Sequence, residues 1–270
     1  MSNVNNFPEK LFRRMQSFDK ALPSQKQTHE FIDSLILLLF PIRNCTNGNI
    51  EHLINEWEQL RLLFADILSS LTPLLNESPE DLSQCFFDAI PSIHEQLLDE
   101  AGYFVQCDPA TSSKEEVMLC YPGFYAITVY RIANELFRMK IPVLPRVISE
   151  YAHSKTGIDI HPGATIGSRI YIDHGTGIVI GETTVIGNNV KIYQGVTLGA
   201  LYVEKDMQNT KRHPTIEDNV IIYAGSTILG GDTVVGHNTV VGGNVWLTES
   251  VAPNSVVYHK AEVVIRDQKL

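Results

Sequence analysis

The sequence has no long apolar run. Its longest, Leu35 to Ile42, is eight residues and contains Pro41, whereas a membrane-spanning helix needs about twenty. The first twenty-five residues are polar and mixed in charge, without the apolar stretch of a secretory signal. Cysteine is scarce: Cys45, Cys85, Cys107 and Cys120 all lie in the first half, and none shares a CxxC spacing. That pattern argues against a zinc ribbon or a disulfide framework. It predicts reduced thiols that mostly pack, in a cytoplasmic protein. Basic residues number 21 against 31 acidic ones, for a net charge of −10, with no Lys/Arg block. Such a chain offers little to nucleic acid or to an anionic membrane, so neither is an expected partner. An anionic ligand would need a local basic pocket.

Apolar periodicity divides the 270 residues in two. Ile50, Leu53, Ile54, Trp57, Leu60, Phe64, Ile67 and Leu68 follow the spacing of one apolar helix face. Ser78-Pro79-Glu80-Asp81 reads as a helix start, with proline at the first helical position and an acid at the third. A further helix is expected from Phe124 to Met139, ended by Pro142 and Pro145. These helices define an α-helical packing or assembly domain over residues 1–150.

From residue 157 onward the beat changes. Ile160, Ile166, Ile172 and Ile178 are six apart; the phase slips by two, and Ile180, Ile186, Ile192 and Leu198 resume it. After a break, Ile216, Ile222 and Ile228 keep the spacing, as do Gly230, Gly236 and Gly242. Neither a helix nor a strand repeats every six residues. A hexapeptide repeat is the mark of a parallel β-helix, in which three short strands and three tight corners make one triangular coil. One aliphatic residue per hexad points inward, and Gly or Asn at the corners accepts the turn conformation. Asn188, Asn189, Asn219 and Asn238 suit such corners. No coil can bury its interior alone, so several must stack. The expected fold is therefore α+β and multidomain, helices first and a β-helix over residues 151–270, with an excursion loop at 200–213. That loop carries Lys205, Asp206, Gln208, Asn209, Lys211 and Arg212 and ends in Arg212-His213-Pro214. Polar groups on a loop leaving a rigid scaffold suit ligand binding.

Histidine meets carboxylate in Asp159-Ile160-His161-Pro162 and in Asp173-His174-Gly175-Thr176-Gly177. Asp173 and His174 follow the inward Ile172, which puts them at a coil corner with His174 free to face outward. An imidazole titrates near neutrality, so it can serve as a general base. His153, His161, His237 and His259 read as structural or surface residues.

The segment IDIHPGATIGSRIYIDHGTGIVIGETTVIGNNVKIYQGVTLG followed by RHPTI resembles the serine acetyltransferases. The likeness extends over about residues 103 to 250 and includes CDPA at Cys107–Ala110 and YPGFYAITVYRIAN at Tyr121–Asn134. Hexads alone would indicate only the wider acyltransferase superfamily; DIHP, DHGTG, GET and RHP in this order are more specific. The resemblance implies a left-handed β-helix, acetyl-CoA as co-substrate, no metal, and transfer of acetyl to the hydroxyl of L-serine, the first step of cysteine biosynthesis. It implies His174 as general base, with Asp159 holding its ring. Asp108 and Asp173 would meet the substrate ammonium, and Arg212 and His213 its carboxylate, with Glu182 nearby. Ala200 and Ala224 fall at positions whose backbone would hold the pantetheine arm of CoA, where Ala200 replaces the family's usual Gly; Lys205 and Lys211 on the excursion loop are candidate partners for its phosphates.

The resemblance also implies L-cysteine as feedback inhibitor and a homotrimer or dimer of trimers. Relatives often end in a GVPAR segment and a tail finishing in Ile that enters O-acetylserine sulfhydrylase; here AEVVIRDQKL ends in Leu270, so that complex is a weaker expectation. The nearest rival reading is a hexapeptide-repeat acyltransferase for homoserine or another hydroxy or amino substrate. A β-helix carbonic anhydrase would need the HxxxxH spacing, which residues 157–250 lack.

Overall fold

In the computed structural model the described residues are 6–16, 22–40, 49–202 and 210–260. The expectations for Cys45, for Lys205, Asp206, Gln208 and Asn209, and for the Leu270 terminus lie outside them. Among the described residues seven α-helices come first: α1 Phe7–Gln16, α2 Gln25–Leu39, α3 Ile50–Ser69, α4 Pro79–Cys107, α5 Lys114–Cys120, α6 Pro122–Arg138 and α7 Leu144–Thr156. Fourteen short strands follow among the same residues, from β1 at Asp159–Ile160 to β14 at Val256–Val257. Among the described residues, no helix is long and apolar enough to cross a membrane.

Local chemistry accounts for the helix ends. The Ser78 hydroxyl accepts the Asp81 N–H at 3.1 Å with Pro79 at the first position, as the sequence predicts. Pro142 lies beyond α6, but Pro145 sits in the first turn of α7 and begins a helix rather than ending one. On α3, Leu60, Phe64, Ile67 and Leu68 are buried, whereas Ile50 and Ile54 are 64% and 55% exposed. The first turns of that apolar stripe thus lie outside the chain's own core. Phe31, Phe64, Phe86 and Phe87 fill the helical core, with the Phe64 and Phe86 rings 4.7 Å apart. Cys85 and Cys120 are exposed, so of the described cysteines only Cys107 packs, against the prediction that most would.

The strands form three parallel sheets. β1 (Asp159–Ile160), β4 (Val179–Ile180), β7 (Thr197–Gly199), β10 (Thr227–Leu229) and β13 (Trp246–Leu247) make the first. β2 (Thr165–Ile166), β5 (Val185–Ile186), β8 (Thr215–Ile216) and β11 (Val234–Val235) make the second. β3 (Tyr171–Asp173), β6 (Lys191–Tyr193), β9 (Ile221–Ile222), β12 (Val240–Val241) and β14 make the third. The register stacks Ile160, Ile180, Leu198 and Ile228 in one column, Ile166, Ile186, Ile216 and Val235 in another, and Ile172, Ile192, Ile222 and Val241 in the last. All twelve are buried, and fully burying one such side chain is worth about 1.5–3 kcal/mol. Asn189, Asn219, Asn238 and Asn254 share a left-handed backbone at one corner and pass amide hydrogen bonds of 3.2, 3.1 and 2.9 Å up the coil. Asparagine tolerates that conformation better than most residues.

The helices close the first end of the prism. Phe104 on α4 meets Tyr171 on β3 edge to face at 4.9 Å. The Tyr130 hydroxyl donates to the Ala164 carbonyl at 2.6 Å. Arg131 is ion-paired with the fully buried Glu100 and donates to the carbonyls of Ile166 (2.6 Å) and Gly167. Helices and coils share one continuous apolar core.

Candidate active site

The two-residue slip in the hexad phase is a corner. Between β6 and β7, as between β9 and β10, the chain turns from the third sheet to the first within a hexad; between β3 and β4 it takes two residues more. Those extra residues belong to Asp173-His174-Gly175-Thr176-Gly177. His174 adopts φ 57, and Gly175 and Gly177 have φ of 81 and 82. A histidine in the left-handed region is uncommon and is held there by its surroundings. The bulge carries the ring out of the coil: its side chain is 71% exposed, with Nδ1 3.8 Å from Oδ1 of Asp173.

Asp108 reaches the same corner from the helices. It is the C-cap of α4. Its Oδ1 accepts the Ala110 N–H at 2.8 Å, and its Oδ2 accepts the Tyr121 hydroxyl at 2.6 Å. The Tyr121 bond, followed by that from Ala110, holds the Asp108 carboxyl below its ordinary range, and the charge of His174 acts in the same direction. Two carboxylates and an imidazole thus converge on one exposed edge.

A second group gathers at the corner between the first and second sheets. Glu182 follows β4, and Arg212 and His213 precede β8; Arg212 and Glu182 form an ion pair. His213 is buried, and the Thr183 N–H donates to its Nδ1 at 3.1 Å. The Thr183 hydroxyl accepts the N–H groups of Arg212 (2.9 Å) and His213 (3.1 Å), and lies 2.9 Å from that Nδ1. A Cβ on Gly181 would overlap the His213 ring, so only glycine fits beneath it. Burial pushes the His213 pKa down to about 4. His161 stacks at this corner too: its Nδ1 accepts the Gly163 N–H at 3.0 Å, and burial brings its pKa to about 4. The charges of Glu182 and Arg212 both act on it.

Some of the predicted residues have other partners in the structure. Asp159 makes no hydrogen bond or ion pair with His174. Its carboxylate groups instead with Glu150 and His153, whose ligand atoms lie within 4.8 Å of one another. These three could approach a cation, although the Arg146 guanidinium already pairs with Glu150. Lys211 is not free for a phosphate. Its Nζ donates to the carbonyls of Thr183 (2.7 Å), Pro214 (3.1 Å) and His213, which saturates an ammonium's three donors. Ala224 lies at a corner whose carbonyl accepts the Asn244 N–H at 2.9 Å, leaving its N–H to offer. Ala200 follows β7 beside the excursion. Tyr121, Thr111 and Thr183 are site residues the sequence reading passed over. Tyr121 and Thr183 lie inside the quoted motifs, but nothing in those motifs marks them as partners of Asp108 and His213.

No protein-family model matches the chain. It is 48% identical to a plasmid-borne serine acetyltransferase of Synechococcus elongatus over 189 residues, 68% of this chain and 59% of that protein. It is 47% identical to the serine acetyltransferase of Bacillus subtilis over 162 residues, 60% of this chain and 73% of that one. A crystal structure of Entamoeba histolytica serine acetyltransferase 1 in complex with L-cysteine superposes with a TM-score of 0.76 at 31% identity, covering 93% of this chain and 96% of that one. The chain belongs to the serine acetyltransferases. The left-handed parallel β-helix after an α-helical domain is the architecture of that family. The chain spans about three fifths of the length of its Synechococcus relative.

Proposed function

We propose that this chain is a serine O-acetyltransferase, moving acetyl from acetyl-CoA to the hydroxyl of L-serine in cysteine biosynthesis. One observation carries the reading: the bulged corner that presents His174 beside Asp173 and Asp108. An exposed imidazole next to two carboxylates suits a substrate that carries both a hydroxyl and an ammonium group. His174 takes the hydroxyl proton as the serine oxygen attacks the thioester carbonyl. The tetrahedral oxyanion collapses, the C–S bond breaks, and His174 returns the proton to the CoA thiolate. Asp108 and Asp173 hold the ammonium. Arg212 holds the carboxylate as a fork, assisted by the Nε2–H of His213, with Glu182 aligning Arg212. Asp159 steadies the His174 ring in this scheme. The N–H groups of Ala200 and Ala224 meet the pantetheine amides.

The two corners flank opposite edges of the first sheet, so one chain cannot bring Arg212 to its own His174. A neighbouring copy supplies the missing edge, which favours a homotrimer, with the apolar α1 to α3 surface available to join trimers in pairs. L-cysteine is bound by the Entamoeba relative; here it would occupy the serine site as feedback inhibitor. Thiol release from acetyl-CoA tests the reading. L-serine should support it at least tenfold better than L-homoserine, and equal rates would favour the homoserine alternative.

A further inference from the structure

We propose that Tyr121 is a positioning residue for amino-acid selection, fixing the Asp108 carboxylate so that it receives the substrate ammonium. The inference deepens the serine reading and rests on it. Asp108 ends α4, a 29-residue helix, where the negative end of the helix dipole opposes a carboxylate. A carboxylate placed there stays ionised and still only if donors offset that field. Oδ1 has a backbone donor in Ala110, whereas Oδ2 depends on side chains. Those are the Tyr121 hydroxyl at 2.6 Å and the Thr111 hydroxyl at 3.3 Å, themselves in contact.

Tyr121 is itself held from several directions. Its N–H donates to the Val117 carbonyl at 3.1 Å, and its ring meets Phe104 edge to face at 6.0 Å. It is the N-cap of α6. Two residues on, Gly123 lies so near the Ile172 carbonyl that a Cβ would overlap it, and Ile172 precedes Asp173. One helix start therefore sets the spacing between the two carboxylates. With the Tyr121 bond as the largest cause, the Asp108 carboxyl is held below its ordinary range. It stays charged as the medium acidifies.

The test is initial-rate kinetics of Tyr121→Phe against wild type, varying L-serine and acetyl-CoA separately between pH 3.5 and 8. Losing one charge-assisted hydrogen bond should raise KM for serine about tenfold. KM for acetyl-CoA should hold, and kcat should change much less than KM. The steepening of the kcat/KM profile for serine near the ordinary carboxylate pKa should move to higher pH, because Asp108 then protonates sooner. A merely structural role would not give that split or that displacement. Thr111→Val should show the same pattern to a smaller degree, and it carries the test if Tyr121→Phe does not fold. Wild-type turnover with both KM and pH profile unchanged in the variants overturns the inference alone. A wild type without serine-dependent thiol release overturns the parent reading as well.

Discussion

The backbone N–H of Thr183 donates to Nδ1 of His213 at 3.1 Å. Nδ1 is therefore an acceptor, and the ring proton of the neutral imidazole sits on Nε2. Burial keeps the ring neutral by lowering its pKa to about 4. A neutral donor beside Arg212 suits a carboxylate without adding a second cation to a crowded corner.

That depression has a consequence for stability. An unfolded histidine titrates near 6.5 and the folded His213 near 4. Between these values the unfolded chain binds the extra proton, so stability rises with pH. The contribution is complete above about pH 6.5 and is lost as pH falls through about 4. His161 titrates in the same sense. Thermal melts at pH 7 and pH 5 should show a smaller drop in His213→Gln than in wild type; equal drops would contradict the assignment.

Gly181 lies under the His213 ring. Gly181→Ala should displace the ring, raise KM for serine and leave KM for acetyl-CoA unchanged. Circular dichroism would verify that the coil persists.

His174→Ala should reduce kcat by about 10²–10⁴-fold, the usual range for a general base. The far-ultraviolet spectrum should not change, since the side chain is exposed. Retention of more than a tenth of wild-type kcat would remove His174 from the chemistry.

Serine and cysteine share an α-carboxylate. Arg212→Lys should weaken both by a similar factor, about tenfold, because a lysine cannot form the bidentate fork. Inhibition constants for cysteine at limiting serine, set beside KM for serine, would measure this. A change in one alone would separate the two sites.

Glu100 is fully buried and ion-paired to Arg131, with burial raising its pKa. Glu100→Ala would strand the guanidinium in the core and should cost about 3–5 kcal/mol, measurable by urea denaturation. Because Arg131 also binds the carbonyls of Ile166 and Gly167, the loss should loosen the helices from the first coil.

Much of the fold is legible in sequence because a coil is a local object. The inward column Ile172, Ile192, Ile222 repeats a pattern that neighbouring residues enforce, and the two-residue slip before Ile180 marks the His174 bulge. The buried extent of α3 is not legible. The stripe continues to Ile50, and only the packing of other helices decides where it leaves the core. The exposure of Cys85 and Cys120 is set in the same way, by how the helices pack.

The sequence by itself determined the period, the corners and the residue types at the candidate site, since each follows from spacing and side-chain chemistry along the chain. Tertiary structure alone decided that Tyr121 holds Asp108, that Lys211 gives its three donors to carbonyls, that His161 lies within the field of Arg212, and that Asp159 gathers with Glu150 and His153. Those pairings arise from stacking coils and docking helices, which bring distant positions within hydrogen-bond reach and leave no trace in local spacing.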